Sequence, residues 1–157
     1  MTSIGMSDIY VHLFLAVILG MTLGIERFVA HKTAGMRTYT LISMGSALFV
    51  IISQLVAAAH PGATFDPLRI AAQVIAAAGF LGVGAIVHID QKISGMTTAS
   101  GLWVAAGIGM ACGFGLYQIA VLVTALALFI FIVLWFIERQ IAKISSFQKV
   151  PEDIFKS

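Results

Sequence analysis

Five apolar stretches constrain this chain more than any other feature. They run Ile9–Ile25, Tyr39–Ala59, Leu68–Ile89, Ser100–Gly113 and Leu116–Phe136. A bilayer core of about 30 Å asks for roughly 20 apolar residues per crossing helix, and two of the five are short by that measure. Composition removes the soluble alternative. Hydrophobic residues make up 60% of the 157 and charged residues 10%, where soluble domains carry about 45–50% and about 25%. A water-soluble interior of this size could not hide so much apolar surface. The reading is an all-α, integral membrane five-helix bundle over 1–137, with a short cytoplasmic tail at 138–157. No Lys or Arg precedes the first stretch and no small-x-small cleavage site follows it, so it reads as a retained helix and not a signal peptide.

Orientation follows from the nine Lys and Arg residues. Arg27, Lys32 and Arg37 lie between stretches one and two, Lys92 between three and four, and Arg139, Lys143, Lys149 and Lys156 after five. Arg69 alone falls on the other side. The positive-inside rule then places the N-terminus outside and the tail in the cytoplasm. Tyr39 and Trp135 inside, and Tyr117 outside, fall near span ends, where amphipathic rings favour the interface.

The third stretch opens with Asp66-Pro67, a capping side chain followed by the residue best suited to the first helical position. Arg69 and Gln73 share a face with that aspartate, and beyond them come only small and large apolar residues until His88. Such a helix is expected to sit inside others. Helices in lipid associate through close backbone contact at small residues. Gly20 and Gly24 supply it on helix one; Gly101, Ala105, Gly109 and Gly113 on helix four; Ala72, Ala76, Gly79, Gly82 and Gly84 on helix three. Helices one, three and four are therefore expected to pack together, with bulky helix five outside them facing lipid.

Lys32-x-x-Gly35-Met36-x-Thr38 recurs sixty residues on as Lys92-x-x-Gly95-Met96-x-Thr98. This points to a parallel repeat of helix hairpins 1-2 and 3-4, with both turns on one cytoplasmic surface. With Arg37, the turns could hold a phosphate or an anionic lipid head group. Alternatively Gly35 and Gly95 stop one helix while Thr38, Thr97 or Thr98 caps the next.

Ionisable groups at membrane depth often mark a site. Asp66 is either an outward-facing ion site, with Gln73 lining a path, or a helix cap paired with Arg69. Glu26 and Arg27 close helix one; as neighbours they point about 100° apart and are not expected to pair, so they either form a solvated inner rim or each meet a group on another helix, Asp90 or Lys92 for example. His12, His31, His60 and His88 form no metal motif. Cys112 stands alone, and a net charge of +2 gives no reason to expect nucleic acid. No catalytic motif is visible, so the chain reads as a non-enzyme without metal or cofactor.

The blocks GIER, AGMRT, DPLRIAAQV, GFLGVGAI and SGMTTASGLWVAAGIGMACG, covering roughly Gly20 to Tyr117, resemble the MgtC/SapB family of bacterial membrane proteins. The resemblance implies a multi-pass domain of the inner membrane linked to growth in low magnesium and, in pathogens, to survival in host cells. It also implies small regulators that act on membrane partners such as F-type ATP synthase. The family's functional aspartate at the start of helix three falls here on Asp66. A second acidic group of the family is absent at Phe28, and Ala76 and Ala77 replace a serine and a glycine. The soluble C-terminal domain of longer members has no counterpart in the tail, which is expected to lie on the membrane or be disordered. The combined expectation is a regulator working by contact with a membrane protein partner, a homo-oligomer being left open. The rivals are a small ion or solute transporter with Asp66, Gln73 and His88 along the route, and a lipid-binding scaffold using the basic turns.

Overall fold

The structure, a computed structural model, describes residues 5–60, 66–89 and 92–147. Within them Asp90, Lys149 and Lys156 have no place, and the same holds for the tail from 148 on. Helix α1 (Met6–Val29) begins where the Asp8 carboxylate accepts the Gly5 N–H at 3.0 Å. It ends in a turn where Lys32 N–H bonds the Arg27 carbonyl and His31 N–H that of Phe28, the paired bonds of a Schellman motif. Helix α2 spans Met36–Ala59 and α3 spans Pro67–Gly84. A short antiparallel hairpin follows, β1 (Val87–Ile89) with β2 (Lys92–Ser94), registered His88 to Ile93. Helices α4 (Met96–Gly113) and α5 (Tyr117–Phe129) come next. A π-turn at Ile130–Leu134 carries the chain into α6 (Trp135–Phe147). The fold is all-helical apart from that hairpin. Three helical runs, Met6–Val29, Met36–Ala59 and Tyr117–Lys143, are long and apolar enough to cross a membrane, and Leu68–Gly84 is a shorter apolar one.

Helix α2 packs against α1, α3 and α4, an inner place that the sequence reading assigned to α3. Gly20 and Gly24 of α1 face Tyr39, Ser43 and Met36 so closely that a Cβ at either would intrude on the α2 backbone. Gly109 and Gly113 of α4 do the same from the other side, against the backbone of Ser43 and Ala47. The Ser43 hydroxyl donates to the Ala16 carbonyl at 2.8 Å and ties the first seam. Ala105 is fully enclosed in the same core. Small residues on α1 and α4 are contact surfaces as expected, and what they hold is α2.

Helix α3 lies at the edge, against α4 and α2. It packs through Val74, Ala78 and Gly82, while Ala72, Ala76, Gly79 and Gly84 are exposed, which corrects the expectation for that face. Its helix stops at Gly84 and not Ile89, because the chain there turns into the hairpin that contains His88. Helix α5 packs on α4 and α1 with Ala120, Thr124 and Ala127 and leaves Val121, Leu122, Leu126 and Phe129 outside, as its bulk predicts. The part of the tail up to Phe147 is helix, continuous with α5.

Candidate functional site

At the end of the bundle where α1 stops and α4 begins, a cavity of about 520 Å³ opens. Three pieces of chain wall it: Arg27 to Thr33, Ser94 to Thr98, and the π-turn with Trp135 and Glu138. Lys32 from the first K-x-x-G-M-x-T turn and Thr97 and Thr98 from the second thus border one space.

Arg27 forms its base. The side chain is only 3% exposed, and its Nε donates to the Glu26 carboxylate. Its guanidinium carbon lies 3.7 Å from the centroid of the Phe131 ring. A buried cation without an anion or a π-face would be costly to hold, and both are present. The expectation that neighbours Glu26 and Arg27 would not pair is overturned. Arg27 is bent against Phe131, which brings its Nε, and not the tip of the fork, beside the adjacent carboxylate. Phe131 is presented by the π-turn, a local widening of the helix that occurs often at functional sites.

The walls are fixed by backbone. Gly95 starts α4 at φ +92, with the Ala85 carbonyl directly where a Cβ would point, so no other residue fits easily. Gly35 starts α2 in an extended conformation. Neither helix has a side-chain cap: Thr38, Thr97 and Thr98 lie inside the first turns, which corrects the threonine-capping alternative. Tyr39, expected at the interface, is fully buried, and its hydroxyl donates to the Thr98 carbonyl at 3.3 Å. Gly101 makes room for that hydroxyl and for Phe131. His31 stands at φ +53, a conformation that a non-glycine residue holds only at some cost. Its side chain lines the cavity rim. Sequence reasoning missed His31, Phe131, Trp135 and Glu138 as site members; a histidine at the C′ position of a helix was the one available signal.

The other expected group does not assemble. Asp66 caps α3, its Oδ1 accepting the Leu68 N–H at 2.9 Å. Asp66 and Arg69 are both exposed, and among the described residues no ion pair joins their side chains. Gln73 lines a groove between α2 and α3 that does not include Asp66. Among the described residues no three His, Cys, Asp or Glu side chains converge as a metal site.

The model of the MgtC family matches residues 13–140. The chain is 42% identical over 120 residues to the "Putative magnesium transporter YhiD" of Escherichia coli K12, covering 73% of this chain and 55% of that one. It is 42% identical over 110 residues to an uncharacterised protein of Synechocystis, covering 70% and 45%. With Protein MgtC of Brucella abortus the identity is 40% over 85 residues, covering 54% and 34%. The chain therefore spans about half or less of these relatives' lengths. No solved structure matches it. With most of its bundle inside the matched region, the chain belongs to the MgtC family.

Proposed function

We propose that the chain is a regulator of the cytoplasmic membrane, active when magnesium is scarce or in host-like stress, and that it works by contact with a membrane protein partner. In this reading the N-terminus is outside and the Arg27 cavity opens to the cytoplasm, in line with the distribution of Lys and Arg. The F-type ATP synthase suggested by the family resemblance is one such partner. The observation that carries the reading is the contrast between the two parts of the bundle. Along their shared seam α1, α2 and α4 meet closely through Gly20, Gly109 and Gly113, an arrangement suited to rigidity and not to passage. At the basic end a polar cavity sits over a buried, charged base. A partner side chain or loop entering that cavity would meet Lys32, His31 and Glu138 at its rim.

The second reading, transport, draws on the name of the Escherichia coli relative. An oxygen-ligated cation would have to pass the glycine seam or leave the bundle along the groove at Gln73.

Growth in low magnesium separates function from fold when membrane levels are measured in parallel. Thr97→Trp, which fills the cavity from an exposed position, is expected to abolish growth support at normal membrane levels, and Arg27→Gln, which removes the charge and loosens its buried unit, to abolish it by more than any fall in membrane level accounts for. Wild-type growth with both variants would contradict the proposal.

A further inference from the structure

We propose that the groove between α2 and α3 binds one acyl chain of an anionic glycerophospholipid, with Arg37 holding its head group. Two cavities of about 470 and 480 Å³ lie end to end here and share Leu41, Ile42 and Leu81. The first is an apolar trough that reaches Phe49 and Val74. The second opens at the basic end beside Thr33, Arg37 and Thr38. Among the described residues no Asp or Glu lines either one. The Arg37 side chain makes no ion pair or hydrogen bond with another described residue, so its charge is uncommitted. Threonine hydroxyls beside a free guanidinium suit a phosphodiester.

The dimensions select the occupant. From Arg37 to Phe49 the groove follows about 18 Å of α2 at 1.5 Å per residue. One leaflet's share of the hydrocarbon core is about 15 Å. A lipid whose phosphate rests on Arg37 would therefore end its chain beside Phe49. Gly45 opens the middle of the trough, since no atom lies within 4 Å of where its Cβ would be. A soluble anion would use Arg37 and leave the trough empty, whereas a neutral lipid would fill the trough and gain nothing from the arginine.

The test is a titration of the detergent-solubilised full chain with phosphatidylglycerol or phosphatidylcholine, with bound lipid counted by native mass spectrometry. One arginine near a membrane surface contributes about 1 kcal/mol toward an anionic lipid, about fivefold in affinity. Arg37→Gln is expected to weaken phosphatidylglycerol by about that factor and leave phosphatidylcholine unchanged. Gly45→Leu, which fills the trough without meeting a neighbour, is expected to reduce binding of both lipids while the melting temperature stays at or above wild type. Equal phosphatidylglycerol binding by wild type and Arg37→Gln would overturn the head-group assignment. Undiminished lipid binding by folded Gly45→Leu would overturn the groove. Neither outcome bears on the Arg27 cavity, which shares neither Arg37 nor Gly45.

Discussion

The guanidinium carbon of Arg27 lies over Phe131, 3.7 Å from the ring centroid, while its Nε donates to the Glu26 carboxylate. Three groups from α1 and the π-turn thus form one buried unit. Removing one partner of a buried pair costs about 3–5 kcal/mol. Arg27→Met is expected to fall short of that, because Glu26 keeps some exposure, but still to lower the melting temperature clearly in detergent. Arg27→Lys is expected not to restore it, since an ammonium cannot offer a flat face to the ring. A melting curve unchanged in both variants would show that the unit contributes nothing to the fold.

Tightly packed and open helical glycines are two groups that stability measurements should separate. At Gly109 an added Cβ would meet the Ser43 carbonyl, and Gly109→Ala is expected to cost about 1–3 kcal/mol through overpacking. At Gly107 and Gly79 nothing lies within 4 Å, so alanine there is expected to be neutral or to gain about 0.5–1 kcal/mol in helix preference. Gly109→Leu, the harsher form, should also lose growth support in low magnesium. Equal thermal shifts at Gly107 and Gly109 would contradict the seam.

His31 offers a substitution that stabilises. At φ +53 glycine pays no steric penalty, so His31→Gly is expected to raise stability by about 1 kcal/mol. The same change strips a side chain from the cavity rim. Higher melting temperature with weaker growth support is the expected combination; a lower melting temperature would mean that the imidazole makes a contact worth more than the strain.

At the far end Asp66 acts on α3 as a cap. Asp66→Ala should cost about 1 kcal/mol and Asp66→Asn very little, because the amide oxygen can accept the same N–H. Arg69→Gln should stay within about 0.5 kcal/mol, as no ion pair is lost. Loss of growth support in stable Asp66→Asn would give the charge itself a role, as the family resemblance implies.

The glycine faces of α1 and α4 were legible in the sequence because small residues at four-residue spacing on an apolar helix let another backbone come close. Their common partner was not. Helix α2 meets them with main-chain atoms of Tyr39, Ser43 and Ala47, and every residue type has those. The cap at Asp66 could be read from its type and the following proline, whereas its lack of an ion pair with Arg69 depends on how two exposed side chains settle. The Glu26–Arg27 pair contradicts a rule that holds for isolated helices, since here Phe131 decides where the arginine can go. Phe131 itself is one of several aromatics in an apolar run, and only the π-turn distinguishes it.

A contact regulator, unlike a conduit, moves no magnesium, and magnesium flux into liposomes tests the proposed function most directly. Purified wild type at a density that saturates the vesicles is predicted to admit magnesium no faster than protein-free vesicles, under conditions where the same preparation melts cooperatively. Flux above that background which disappears with Asp66→Asn would contradict contact regulation and establish transport in its place.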